Sequence, residues 1–424
     1  MKRAALVIIV GLLLLAPLGV GAVDPVDDSN TPQLSQANGG DLEEGETRDD
    51  GPEGQMLNAL SIPEGELMRT DLRRQHANLG PAARFSAAGT TDHISTGALE
   101  AELEEADDAE RADRIEREFE RIQRQARALE QAEREAIREF NAGQTEPREL
   151  LVTLAEIDRA ATALEDQVLL LDEKDDEQSG EVITRSELTV VQHDLQALNG
   201  PVRGYAAEIF AGETPPDRVV VEAGDNKLTL AAIDGDHYIR ETHNKNRWSS
   251  GSTPLTIEEV ETVVVEEYPL LWEQQTAFQH GPESKLNVQL ENNGFFDSFV
   301  NPNEEVVIQN KRVGLDRIVA SETTTKRQDG LEVTVRQTYS GGPIEVVVVD
   351  GDTGDPVAAT VTIGQDGEES ETVGRTGADG VLWIVTPRTE FTITVFGEEN
   401  EAAFVDVTPQ PPETAIADSR TADE

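Results

Sequence analysis

The sequence predicts a multidomain α+β protein: an N-terminal helical hairpin of coiled-coil character, an α+β middle domain and a C-terminal all-β sandwich. Three observations predict it. Apolar residues recur at alternating four- and three-residue steps between Ile115 and Leu171, as on helices with a heptad stripe. From residue 217 the period shortens to two and Gly/Asp turns appear, as in antiparallel strands. After residue 343 short strands follow one another at regular spacing, the pattern of a small sandwich. At 424 residues the chain is too long for one core.

The expected divisions are 1–22, 23–96, 97–200, 201–342, 343–409 and 410–424. Lys2 and Arg3 precede an apolar run from Ala4 to Ala22 that ends in Val20-Gly21-Ala22. This reads as a cleavable signal peptide, with an uncleaved membrane anchor as the alternative. Residues 23–96 are rich in Asp, Glu, Gly and Gln early on and read as a mostly disordered acidic spacer. The hairpin helices follow. Ile115, Phe119, Ile122, Ala126, Leu129, Ala136 and Phe140 form the first stripe, with Glu133 at the one skipped heptad position. Asn141-Ala142-Gly143-Gln144 stops that helix, Thr145 caps the next and Pro147 lies in its first turn. Leu150, Leu154, Ile157, Ala161, Leu164, Val168 and Leu171 form the second stripe. Arg117, Arg121, Arg124 and Arg127 stand among glutamates at helical spacing. Residues 172–181 read as an acidic linker, 186–198 as a helix that joins the hairpin, and 202–210 as a short helical segment.

In the middle domain, strands at 218–222, 228–233 and 237–241 make a meander around Gly224-Asp225-Asn226 and Asp234-Gly235. Thr256-Ile257-Glu258-Glu259 is a capping box. A second helical stretch is expected over 270–278, with strands at 286–290, 305–309, 317–321 and 331–339. A split into two units near 252 fits this pattern. The last domain has strands at 344–350, 358–363, 381–385, 391–396 and 403–407.

Composition narrows function. With 84 acidic against 35 basic residues the net charge is −49, so a nucleic-acid footprint is excluded and anionic membrane surfaces are disfavoured. The absence of cysteine excludes disulfides, thiol nucleophiles and Cys-ligated metals. Only seven of the 35 cations are lysine. High acid and scarce lysine resemble haloarchaeal proteins, where molar salt shortens the screening length to about 3 Å and tolerates such a surface.

The C-terminal residues carry a resemblance. Val347-Val348-Val349-Asp350, Thr353-Gly354-Asp355-Pro356-Val357 and Thr376-Gly377-Ala378-Asp379-Gly380 resemble a carboxypeptidase-regulatory-like, transthyretin-like β-sandwich. The resemblance implies a fold and no activity. Related surface modules form a Lys–Asn crosslink, which no lysine beyond Lys326 can supply here. The remainder resembles uncharacterised secreted or envelope proteins of haloarchaea.

Candidate sites are few. His237, Glu241 and His243 share strand parity and would line one face of a sheet, as a metal site requires. Nearby Asp234 and Asp236 are ordinary turn residues. Asp350, Asp352 and Asp355 offer oxygen ligands for calcium, or simply a tight turn. Trp248, in a polar loop beside Arg247, is the candidate binding hot spot, with packing onto its own domain as the alternative; Trp272 and Trp383 read as core. No Gly-x-Ser-x-Gly elbow or phosphate-binding glycine loop occurs, and no catalytic residue or cofactor is assigned. The expectation is a non-enzymatic extracytoplasmic scaffold or interaction protein, secreted or tethered through residues 4–22. Its partner is an envelope protein, or a second copy bound through the hairpin. Small-ligand or ion recognition by the middle domain is the alternative, ahead of a hydrolase.

Overall fold

The computed structural model describes residues 59–410 apart from 179, 249–254, 268–276, 280, 282, 366–369 and 399–400. The signal or anchor segment, most of the expected spacer, Trp272 and the tail from 411 lie outside the described residues. Within them the chain is mixed α+β, with helices concentrated in the N-terminal half and antiparallel sheets in the C-terminal half.

The helical layer holds α1 (Leu79–Glu105), α2 (Asp108–Asn141), α3 (Pro147–Asp176), α4 (Arg185–Gln196) and α5 (Pro201–Ala211). At 34 residues, α2 is about 51 Å long. Its N-cap Asp107 accepts from the amides of Ala109 and Glu110. Pro147 opens α3 as its first residue, but the cap is Glu146, without a side-chain bond, rather than Thr145. A full capping box, Thr184 with Glu187, starts α4. Pro201 starts α5, and Gly212 ends it at φ 80°, a conformation that favours glycine.

The two heptad stripes are buried, as their spacing requires, apart from half-buried Leu129. Towards the far end of the bundle they meet Leu99 and Leu103 of α1 and Leu188, Val191 and Leu195 of α4. Nearer the sheet, Phe140, Leu150, Leu151 and Leu154 join Val202, Ala206 and Phe210 of α5 against strand residues.

Two expectations fail here. The spacer was drawn to residue 96, yet β1 (Leu67–Arg74) and most of α1 lie inside it. A strand with little polar alternation and a helix without a stripe escape pattern reading. Of its 27 residues, α1 buries only Pro81, Phe85, Leu99 and Leu103, all near its ends. Its exposed centre holds Gly89, Thr90, Thr91, Ser95 and Gly97, weak helix formers. The acidic linker is also a compact turn. Asp175 accepts from the amides of Val182 and Ile183 at 3.1 and 2.9 Å, and Arg185 bridges Asp172 and Asp176 at 2.8 and 2.9 Å.

The helices lie on an eight-stranded antiparallel sheet. Besides β1 it contains β2 (Arg218–Gly224), β3 (Lys227–Asp234), β4 (His237–Asn244), β5 (Ala277–Gln279), β6 (Ser284–Gln289), β7 (Phe295–Val300) and β8 (Val306–Gly314), in the order β1-β2-β3-β4-β8-β7-β6-β5. Asn226 (φ 50°) and Gly235 (φ 61°) supply the left-handed positions of the two-residue hairpin loops. Because β4 pairs with β8 from His237↔Gly314 to His243↔Ile308, there is no split near 252: strands from both sides share one sheet. The helical reading of 270–278 fails at 277 and 278, which belong to β5, and otherwise lies outside the described residues. The strand expected at 317–321 starts instead at Glu322. On the face away from the bundle, α6 (Ile257–Glu267) begins at the expected Thr256–Glu259 capping box and buries Val260, Val263 and Val264.

The sandwich comprises β9 (Glu322–Gln328), β10 (Leu331–Gln337), β11 (Pro343–Asp350), β12 (Thr360–Gly364), β13 (Glu371–Arg375), β14 (Val381–Val385), β15 (Phe391–Phe396) and β16 (Ala402–Val407). They form two four-stranded sheets, β14-β11-β10-β9 and β13-β12-β15-β16. The sandwich therefore begins at 322, not 343. The boundary expected at 342/343 falls at Gly341-Gly342, in the connection between the paired strands β10 and β11. The sandwich core is built on apolar side chains, with Val333, Val346, Val348, Val361, Ile393 and Val395 fully buried, and its buried polar residues, such as Gln337 and Thr376, are uncharged.

The sandwich docks on the eight-stranded sheet. Tyr339, Val385 and half-buried Trp383 share a core with Val220, Ala231 and Tyr238. The Tyr238 and Tyr339 hydroxyls are 3.0 Å apart. Arg388 reaches Glu222 at 3.5 Å and donates to the carbonyl of Ile62 at 3.2 Å. No helix among the described residues is long and apolar enough to cross a membrane.

Candidate functional site

Strand β4 was the sequence's main candidate for chemistry, and its odd-numbered residues do face the helices. Their company there is an arginine. Arg203, in the first turn of α5, is fully buried and pairs with Glu133 of α2 at 2.6 Å and Glu241 of β4 at 2.7 Å. It also donates to the Leu198 carbonyl at 2.8 Å and lies 3.3 Å from Nδ1 of His243. Lys245, just beyond β4, stands 3.7 Å from Glu133 and donates to the carbonyl of Ala197. Two cations and two carboxylates thus balance inside the fold.

Glu241 does a second job. Its Oε2 accepts from the amides of Val202 and Arg203 at 3.1 and 3.4 Å. It caps α5 from a neighbouring strand, where the helix dipole favours a negative group. Gly200 is required for this approach, because a Cβ there would collide with the Glu241 carboxylate.

Electrostatics follow from burial and pairing. Burial pushes the Glu133 carboxyl up, but Lys245 and Arg203 pull it further down, so it stays below the usual carboxylate range. Burial raises Glu241, and Arg203 offsets this only in part. Burial works against the Arg203 charge, yet Glu133 and Glu241 raise it above the ordinary guanidinium value. His243 is driven well below its usual value by burial and by the adjacent Arg203 and Lys245, so its ring is neutral. Removing one member of such a set costs about 3–5 kcal/mol, because a buried charge is left uncompensated.

Two carboxyls of α3 border this cluster. Asp158 accepts from the Gly200 amide at 3.0 Å, and burial raises it to about 6. Glu165 accepts from Asn199 at 3.0 Å, and burial raises it to about 7, against the pull of Lys285.

The predicted ligands do not converge. His237 shares parity with Glu241 but lies four residues along the strand, about 13 Å away. Its ring contacts Asp236 at 2.6 Å and the Asn292 carbonyl at 2.8 Å. Asp350 accepts from the amides of Asp352 and Thr353 at 2.9 and 2.8 Å, and those bonds lower its carboxyl below the usual range. With Asp355 it makes the tight turn, the alternative reading of these residues. Among the described residues no group of three or more His, Asp or Glu side chains is placed to hold a metal ion. Trp248 turns inward. Its ring packs on Phe299 at 5.7 Å, its indole donates to Asp194 at 3.2 Å, and the Lys245 ammonium lies 5.3 Å from its centroid.

Sequence reasoning missed Arg203, Glu133 and Lys245 as a set, although two signals were present. Glu133 interrupts an otherwise apolar stripe, and Arg203 is the lone cation of α5. Each needs a buried partner that is distant in sequence. The assembled cluster joins α2, α5 and β4, and every member is buried.

Residues 1–215 match a family model described as a domain of unknown function (DUF7096). Residues 322–404 match an archaeal fibronectin-III type-like domain. No curated protein and no solved structure matches the chain. The second match starts where β9 starts, in agreement with the sheet boundary. The expected archaeal β-sandwich holds, while the matching family is the fibronectin-III type-like one and not the carboxypeptidase-regulatory-like one.

Proposed function

The chain belongs to the family described as a domain of unknown function (DUF7096), and from that premise we propose a non-enzymatic extracytoplasmic interaction or scaffold protein of a halophile cell envelope. The observation that carries this reading is the fate of the reactive side chains. Glu241, His243, Arg203, Lys245 and Glu133 are buried and committed to one another, and they fasten the helical layer to the sheet. The C-terminal fibronectin-III type-like module supports the same reading, since such a domain is typical of extracellular proteins. The N-terminal charge and apolar run of residues 2–22 support export or tethering, and the net charge of −49 supports a high-salt environment.

The heptad stripes are covered by α1, α4 and α5 within the chain. That favours a partner bound elsewhere over self-association through the hairpin. The test is crosslinking of a C-terminally tagged copy in a haloarchaeal host, in native salt, followed by mass spectrometry. One or two reproducible envelope partners are expected. Crosslinks confined to the chain itself would contradict the proposal.

A further inference from the structure

The two outer faces of the sandwich differ. On the sheet β14-β11-β10-β9 the outer face is charged and internally paired. Arg327 pairs with Glu332, Arg336 with Glu345 at 2.6 Å, and Thr325 bonds Thr334 at 2.9 Å. That is the ordinary solvent face of an acidic protein.

The outer face of β13-β12-β15-β16 is of another kind. The strand registers set Thr372, Thr362, Thr394 and Phe404 in one row across all four strands. The next row on one side runs Gly364, Thr392, Asp406, and on the other Arg375, Thr360, Phe396, Ala402. Two residues in these rows are charged, Asp406 and Arg375, and Arg375 is already paired with Glu398 at 3.1 Å. Phe396 and Phe404 stand 45% and 43% exposed. Threonine alone would reflect strand propensity. Two aromatic rings left exposed by the described residues, on a face whose one arginine is already paired, suit an occupant.

A cleft of about 960 Å³ opens on this face, lined by hydroxyls and amides that include Gln365, Ser370, Thr389, Thr392 and Thr394, with the carboxylates of Glu390 and Asp406. Asp406 already accepts from Thr392 at 2.8 Å and Glu390 from Thr408 at 3.1 Å, so donors and acceptors are held in place. Thr394 lines the cleft and pairs directly with Phe404, so the aromatic patch is continuous with it.

Size and charge select the occupant. Four strands of five or six residues span about 350 Å². Two copies face to face would bury about 700 Å², below the roughly 1,200 Å² of a stable interface. A cationic ligand finds few charges, and an anionic one meets Asp406 and Glu390. A neutral polyhydroxylated chain suits the face: its hydroxyls match the threonine and carboxylate groups, and its C–H faces stack on the phenylalanine rings. We propose that the β13-β12-β15-β16 face of the sandwich binds a neutral oligosaccharide. The proposal rests on the binding-protein reading and gives that reading a ligand class.

The test uses the full chain in molar potassium chloride, titrated calorimetrically with maltohexaose, mannohexaose and xylohexaose. Saturable binding of at least one sugar is expected. Phe404→Ala should weaken it about tenfold, the loss typical of a truncated aromatic anchor. Thr394→Val, which keeps shape and strand propensity, should weaken it several-fold. Glu332→Ala on the opposite face should leave it unchanged. No binding to any of the three sugars, or binding indifferent to Phe404→Ala and Thr394→Val, overturns the proposal. So does a doubling of mass in solution that Phe404→Ala abolishes, which would make the face a contact between copies. In each of these cases an envelope partner found by crosslinking leaves the scaffold reading standing. If crosslinking finds none while sugar binds here, the scaffold reading fails and the site stands.

Discussion

The helix–sheet interface and the sandwich core solve the same problem with different chemistry. The sandwich buries no charged side chain among its described residues, and Val346, Val361 and Ile393 are fully enclosed. The helix–sheet interface places Arg203, Glu133, Glu241 and Lys245 among apolar neighbours, contributed by α2, α5 and the β4 region. Apolar burial is nondirectional and roughly proportional to area, so many sequences suit a sandwich. A buried ion set demands one relative placement of its elements, and any other leaves a bare charge in a dry interior. The difference teaches that here charge fixes where the bundle sits, while hydrophobic area holds the sandwich shut.

The largest effect that would break this comparison is at Arg203. Arg203→Met strands Glu241 and leaves Glu133 with Lys245 alone. The expected loss is about 3–5 kcal/mol in denaturant unfolding. Adding Glu241→Gln keeps an acceptor for the α5 amides and removes the stranded charge, so the double variant should recover part of that loss. If it were less stable than the single variant, charge balance would not be the cause.

In the sandwich, Ile393→Ala should cost about 2–5 kcal/mol by leaving a cavity. Because no ionic partner is involved, its cost should be the same in low and molar salt. A salt-dependent cost would erase the distinction between the two regions.

A smaller effect is pH dependence at the edge of the ion set. Asp158 and Glu165 are raised to about 6 and about 7 by burial. The folded protein therefore holds protons that the unfolded chain has released. Their contribution to stability is complete below the ordinary carboxylate range and is lost as pH rises from there through about 6 and about 7. Glu165→Gln should flatten the part of the melting-temperature profile nearest pH 7. An unchanged profile would contradict the assignment. Smallest of all, Phe404→Ala should change stability by no more than about 0.5 kcal/mol, because its ring is exposed. A larger loss would make Phe404 structural and weaken its role in binding.

Local pattern made much of this fold legible. Heptad spacing gave α2 and α3, the helical readings of 186–198 and 202–210 matched α4 and α5, the Thr256–Glu259 capping box located α6, and Gly/Asp turns gave the meander and most of the sandwich. What escaped lacks a local signature. The centre of α1 is exposed and rich in Gly and Thr, so no stripe marks it. The first two strands of the sandwich lie before the boundary expected at 342/343, in what the pattern assigns to the middle domain. At the site, parity correctly put Glu241 and His243 on one face, but strand parity says nothing of what packs above it. That information lay in Glu133, more than a hundred residues earlier, and in Arg203. The first family match ends at residue 215, between Arg203 and its partner Glu241, so the helical segment taken alone lacks half of its own salt bridge.

The central claim is that this ion set fastens the bundle to the sheet. Hydrogen–deuterium exchange of the full chain and of Arg203→Met, both in molar salt, tests it most directly. If the set is the brace, amide protection falls together in α2, α5, β4 and β8 and stays unchanged in the sandwich strands β10, β11 and β15. Loss confined to the first turn of α5, or spread evenly over the whole molecule, would contradict it.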